Sequence, residues 1–591
     1  MVDTDDKKAW DLEMELLCIP ATGQGHVSGM QRLASKISRA CNDVPLHVRE
    51  LAQIGSGRNA ERDLHRWVKH QKWRDLLPQP YAFEVAWTPD DIHEDTRMHS
   101  CFCPHEVLSH LAVYPELLEH LLLGAPGACG TFWEHNTGDP WLETHPLHEQ
   151  IMASPELAFP VGIHGDDASA FTHAKVLVLT INSLTTKTQT IDNRILFTAV
   201  NLIGCIDATL REIYRVLVWS LNALASGRNP KAHHNGKLFS ATHHPDRFAK
   251  AGKKLTPAGH IGIWSELRGD WKWQHESLNL DKYYNAVEVC HLCRAHKKIR
   301  RLLYTQFSRD ANVRRTRISW ARFRDWYESH PEDRSPLTMI IGFTIWRCWV
   351  DCMHNLDLGV YQTICACSLF ELVQENFWHG NTVDDKFSNA YLDYKDYCKK
   401  HKLQPCAKFE RKKLRPSGTE CPTFTCFQAK AHQTKHILFW LETVMMRRSA
   451  IENFHAHERR VMVSSFASFE RICAANDAYL SDAAVHAIPG LVETALLCLN
   501  ALSDEALRLK PYMWHILPKA HMTTHMAYDQ VQTTHRNPRS ITCYPDEDMV
   551  GRVKQIVEAC HGRTYAENTL KRYAILVGVR WWTLLASLRF G

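Results

Sequence analysis

Residues 157–227 read LAFPVGIHGDDASAFTHAKVLVLTINSLTTKTQTIDNRILFTAVNLIGCIDATLREIYRVLVWSLNALASG, and this stretch decides the fold. Three short β-branched apolar runs, LAFPVGIHGDD, AKVLVLTINSLT and RILFTAVNLI, are separated by polar, turn-like residues, which predicts three consecutive strands. In the segment that follows, Leu210, Ile213, Val216, Leu217, Leu221 and Leu224 recur at steps of three and four until Gly227. That spacing puts them on one face of a long amphipathic helix, with the glycine as its stop signal.

Further out, GHIGIWSELRGDWKW at 259–273 predicts a fourth strand ending near Gly269 and Asp270. The succession β-β-β-α-β is the opening of an RNase H-like fold. From about 335 to 535 the rhythm turns almost wholly helical, as in FQAKAHQTKHILFWLETVMM and VETALLCLNALSDEALRLK. The acidic triplet DED at 546–548 then opens a last helix with Met549, Val550, Val553, Ile556 and Val557 on one face. A helical block of this length inside an α/β core reads as an insertion, whose two flanks close one sheet together. The expected organisation is an N-terminal region over 1–150, mixed and mainly helical and with no role assigned, a first part of the core over 151–334, a helical insertion over 335–535 and closing helices over 536–591.

Composition narrows the classes. A chain of 591 residues with 45% hydrophobic and 23% charged residues matches an ordinary globular protein, which excludes wholesale disorder, collagen and coiled coil. No uninterrupted apolar run reaches about 18 residues, and the acidic start MVDTDDKKAWDLEMELLCIP is unlike a secretory signal. The expectation is an intracellular, soluble protein with no membrane partner. Twenty cysteines are too sparse for a disulfide scaffold of this size, so they read as thiols, with closely spaced pairs as candidate metal ligands. A net charge of +5 is only mildly basic, and where the charge sits matters more than its sum.

Nuclease and transposase chemistry on an RNase H-like scaffold needs carboxylates from distant segments on two divalent cations, one activating the attacking oxygen and one stabilising the leaving oxygen. Magnesium suits such a site because it takes carboxylate oxygens and keeps several waters. Asp166 at the end of the first strand, Asp270 at the end of the fourth and Glu547 on the late helix are the candidates. Asp167 competes with Asp166 because adjacent strand residues face opposite ways, and Asp546 or Asp548 competes with Glu547. The bland alternatives are a turn or cap residue for each aspartate and a helix-dipole acid for Glu547.

Taken in order, HGDD around Asp166, RGDWKW around Asp270, CHLC at 290–293, DCMHNLDLG at 351–359, KAHMTTHM at 519–526 and YPDEDMVGRVK around Glu547 resemble the cut-and-paste DDE transposases, within them the CACTA-type branch and its relatives. The resemblance spans about 157–560 and lies in the ordered set of short motifs. It implies Asp166, Asp270 and Glu547 as catalytic ligands of Mg²⁺ or Mn²⁺. It also makes Asp351 and His354 an auxiliary [C/D]-x-x-H element beside them. Double-stranded DNA, as transposon ends and target, is then the partner and the nucleus the location, with homo-oligomerisation open. The chain departs from the family pattern in having DD where the first aspartate is followed by glycine, and no N-terminal DNA-binding module is recognisable.

Cys290 and Cys293 form a CxxC that supplies half of a tetrahedral zinc site. His521 and His525 lie four apart, on one face of any helix, and would complete a Cys2His2 set. The alternative is two buried thiols and two histidines bonded within a helix interface. CFCPHE, with Cys101, Cys103 and His105, has poorer spacing and reads as structural. The segment HKKIRRLLYTQFSRDANVRRTRISWARFRDWY interleaves cations with aromatic rings, as suits phosphate tracking, and FERKKLRP is a second basic run. No GxSxG elbow, Walker loop or dinucleotide fingerprint occurs. Two functions from different classes follow: an active DNA strand-transfer enzyme, or a catalytically inactive descendant that binds DNA or chromatin.

Overall fold

A computed structural model describes residues 4–590 apart from 23–24, 41–43, 45, 56–58, 89–94, 172–173, 332, 416–419, 448–452, 510–511 and 561–564. The chain is of mixed α/β type and forms two compact units that interleave in sequence. The first comprises Met1–Leu267, Arg334–Arg347 and Tyr544–Gly591, and the second Arg268–Asp333 and Cys348–Cys543.

The first unit is built on a mixed four-stranded sheet. Its strands are β3 (Ala158–Phe171), β4 (Ala174–Ser183), β5 (Arg194–Asn201) and β6 (Ile261–Arg268), in the order β5-β4-β3-β6, and the pairs β3/β4 and β4/β5 are antiparallel. A separate hairpin pairs β1 (Tyr81–Trp87) with β2 (Asp95–Cys101). Consecutive residues of β4 and β6 are buried rather than alternate ones, which means that both faces of the sheet are covered and explains why these strands read as continuous apolar runs. The helix Asp207–Ser226 ends where expected, with Gly227 in the left-handed region at φ 67° and its N–H bonded to the Leu224 carbonyl. Gly262 of β6 permits the close approach of that helix, since a β-carbon there would lie 2.6 Å from Leu224 Cδ2 and 2.8 Å from Phe159 of β3.

Residues 1–150 share this unit with the sheet. The Trp133 indole donates to the Ala158 carbonyl at the start of β3, and the Phe102 amide bonds the Phe197 carbonyl of β5. Arg347 pairs with Asp139 at 2.6 Å and stacks over Trp141, so the short segment Arg334–Arg347 is held in the same core. The late helix Tyr544–Glu558 packs on β3, and all five residues of its predicted face, Met549, Val550, Val553, Ile556 and Val557, are buried.

The second unit is helical, with Tyr361–Gln374, Ala431–Met446, Phe454–Ala474 and Asp482–Leu509 as its main helices. Charged groups are buried among them. Arg459 bonds Glu371 and Glu375, and Arg539 bonds Asp357 and Glu470. Such pairs persist in a low-dielectric interior because each charge has its partner and its hydrogen bonds. Two helical stretches here, Met353–Gln374 and Asp482–Arg508, are long and apolar enough to cross a membrane by length and composition alone. The apolar window of the first is 89% buried and that of the second 50%.

Candidate metal centre and carboxylate cavity

Cys290 and Cys293 sit on a compact turn, and His521 and His525 on the helix Pro518–His525. The chain brings the four together from segments more than two hundred residues apart. Cys290 Sγ lies 3.3 Å from His525 Nε2, and Cys293 Sγ lies 3.1 Å from His521 Nε2. All four ligand atoms fall within 4.8 Å of one another, and all four residues are buried. In a tetrahedral site with Zn–S near 2.3 Å and Zn–N near 2.05 Å, the sulfur-to-nitrogen edge is about 3.6 Å, so small outward shifts would admit an ion.

The surroundings suit a cation. Burial opposes charge on the Cys290 thiol, yet Cys293 and the two imidazoles hold it well below its ordinary value, favouring the thiolate that metals require. Asp529 Oδ2 accepts from His525 Nδ1 at 2.6 Å, which directs Nε2 toward the sulfurs. The other oxygen of Asp529 takes Arg314 at 2.8 Å and Arg317 at 3.0 Å. A carboxylate behind a ligating histidine fixes its tautomer and raises its basicity. Asp529 could have been suspected from its i+4 spacing to His525, but the distant arginines carry no such signal. Cys290, Cys293, His521 and His525 could therefore hold a metal ion, as the spacing predicts.

The second feature of this unit is a cavity of about 390 Å³ lined by Asp270, Asp351, His354, Lys519 and the aromatic residues Trp271, Tyr283, Tyr284 and Trp349. Asp270 caps the helix Trp271–Ser277 through a 2.6 Å bond from the Trp273 amide. Capping does not preclude coordination, because a carboxylate accepts at both oxygens. Asp351 is buried and accepts from the His354 amide at 2.9 Å, from His354 Nδ1 at 2.7 Å and from the Cys543 amide at 2.9 Å. Cap and orienting roles thus coincide in one carboxylate. Burial would raise its pKa, but His354 and the two amides keep it below the ordinary value. The resulting bond presents His354 Nε2 as the ring's remaining polar atom.

Lys519 was not anticipated from sequence. Its ammonium donates to the carbonyls of His354 and Leu358, at 2.8 and 3.2 Å, in the π-helical turn Met353–Val360, whose wide hydrogen bonding leaves acceptors to fill. Gly359 makes room for it, since a β-carbon there would lie 2.6 Å from Lys519 Cδ. Burial lowers the Lys519 pKa against the opposing pull of Asp270 and Asp351.

Asp166 and Glu547 belong to the first unit, and Asp270, Asp351 and His354 to the second. Asp166 is not at a strand end: β3 continues to Phe171, and Asp166 pairs with Val178 while its carboxylate accepts the Asp167 amide. The apolar run stops at Asp167, but β3 and β4 go on pairing beyond it, so the change of composition marks partial exposure rather than the end of the strand. Asp167 bonds Lys175 at 2.9 Å, Asp546 bonds Arg194 at 3.1 Å inside the core, and Asp548 bonds Arg552 one turn on. Cys101, Cys103 and His105 are buried in the first unit, where His105 Nδ1 meets Ser220 Oγ at 2.7 Å.

No protein-family model matches the chain, and no curated protein matches it at a significant level.

Proposed function

We propose that the protein is a transposase-derived DNA strand-transfer enzyme with an RNase H-like core split by a helical insertion. The observation that carries this reading is the packing of the late helix Tyr544–Glu558 on β3, after an excursion of more than half the chain. A β-β-β-α-β succession closed by a distant helix is what an interrupted core of this class requires. The same packing puts Asp166 and Glu547 on one scaffold. Asp270 follows β6 by two residues.

On this reading Asp166, Asp270 and Glu547 hold Mg²⁺ or Mn²⁺. The three oxygen donors suit such hard cations, which supply activation of water and stabilisation of the leaving 3′-oxygen. Overall, water cleaves a phosphodiester at a transposon end, and the freed 3′-hydroxyl then attacks target DNA. His354, oriented by Asp351, contacts a phosphate or orients a carboxylate. The Cys2His2 centre takes zinc, the ion for which two thiolates and two imidazoles are the common structural set. The basic segment supports DNA as partner: Arg300, Arg301, Arg309, Arg315, Arg322 and Arg324 are all exposed.

A plasmid-nicking assay with Mg²⁺ or Mn²⁺ tests the reading. Wild type should nick, Asp270→Asn should fall to the metal-free background, and both should keep salt-dependent DNA binding. Equal nicking by both removes the assigned site. Binding without nicking in either favours the second reading, a catalytically inactive DNA- or chromatin-binding descendant.

A further inference from the structure

The second unit contains a thiol pair outside both sites. Cys367, on the helix Tyr361–Gln374, and Cys421, in the segment CPTFTC, have sulfurs 3.6 Å apart, although 54 residues separate them in the chain. Consecutive backbone amides face them, with the Trp514 N–H 3.4 Å from Cys367 Sγ and the His515 N–H 3.4 Å from Cys421 Sγ. Paired main-chain N–H groups of this kind favour negative charge. Trp514 reaches this arrangement in the left-handed region, at φ 58°, where a bulky residue is strained. Its indole is anchored by a 2.8 Å bond to Glu371, one turn beyond Cys367. The bond to Glu371 and the contacts of the two amides with the sulfurs hold that conformation. Cys367 is buried and Cys421 partly accessible, so Cys421 is the more accessible of the two. A hydrogen bond from Cys367 and the nearby amides hold the Cys421 thiol below its ordinary value against burial.

We propose that Cys367 and Cys421 are a redox-active dithiol that hydroperoxides convert to a disulfide, with Cys421 the attacking and Cys367 the resolving sulfur. The Cys421 thiolate attacks the peroxide, the O–O bond breaks, and sulfenic acid and an alcohol or water form once the leaving oxygen takes a proton. The Cys367 sulfur then displaces the sulfenic oxygen as water, losing its own proton. In sum, two thiols and one hydroperoxide give one disulfide, one alcohol or water, and one water. The inference does not depend on the proposed function.

The test treats the full chain with a small excess of hydrogen peroxide, blocks remaining thiols and maps peptides by mass spectrometry. A Cys367–Cys421 link should appear before any modification of the exposed Cys426 and should be reversed by dithiothreitol. Cys367→Ser should leave a sulfenic acid on Cys421 that dimedone traps. Cys421→Ser should give no link and an unmodified Cys367. Oxidation of Cys426 first, with the pair still reduced, would overturn the proposal. So would a stoichiometric thiophilic metal on the two sulfurs of the purified wild type. The wild-type comparison stands by itself if a variant fails to fold.

Discussion

Asp529 illustrates how much a single side chain decides. It orients His525 and neutralises two arginines at once, so replacing it with asparagine removes the anionic partner while keeping the shape. Asp529→Asn should weaken metal binding roughly 10–100-fold, measured by chelator competition. Cys290→Ser should abolish stoichiometric zinc by elemental analysis and lower thermal stability, and a metal-free wild type of equal stability would remove the centre. A half-buried histidine sets a pH dependence. His455 lies between Glu371 at 2.8 Å and Glu505 at 2.6 Å, and the bond to Glu371 raises its pKa above 6.5 despite burial. Burial would raise Glu371, but His455 and Arg459 hold it below 4.5. The histidine's contribution is complete below 6.5 and is lost as pH rises through the raised value. That of the glutamate is complete above 4.5 and is lost as pH falls through the lowered one. Their joint stabilisation is therefore greatest between 4.5 and 6.5. His455→Gln should flatten the decline of the urea midpoint above pH 6.5, and an unchanged slope would contradict this.

At the level of elements, the acids opening the late helix separate structure from chemistry. Asp546 is fully buried against Arg194, so Asp546→Ala strands a charge in the core and should cost about 3–5 kcal/mol in chemical denaturation. Glu547→Gln should cost less than about 1 kcal/mol and yet abolish nicking, because a half-buried amide replaces a carboxylate of the same shape. Loss of activity only in proportion to loss of stability would deny Glu547 its role. Gly262→Val should destabilise the first unit by about 1–3 kcal/mol or more, since its β-carbon meets Leu224 and Phe159 at once. The strands and the helix after them were legible because burial on both faces leaves unbroken apolar runs and Gly227 supplies a left-handed stop. The Cys2His2 set was legible because i+3 and i+4 spacings survive any tertiary arrangement. Lys519, the arginines behind Asp529 and the Cys367–Cys421 pair were not, since each acts through contacts between segments that no local pattern encodes.

For the molecule as a whole, chain order and compact units differ because the helical unit is entered and left more than once. Arg334–Arg347 returns to the first unit between two segments of the second, held by Arg347 on Asp139 and Trp141. Composition could not mark that return, as it changes too little over fourteen residues. The same interleaving assigns Asp270 to one unit and Asp166 and Glu547 to the other, which makes their common role the central claim. Localised oxidative cleavage tests it most directly. Fe²⁺ substituted for Mg²⁺ and given ascorbate and peroxide cuts the backbone only where the ion is held. The account predicts cuts near 166, 270 and 547 together, suppressed by excess Mg²⁺ and lost at all three in Asp270→Asn. Cleavage at only one of these segments, or a pattern that Asp270→Asn leaves unchanged, would contradict it.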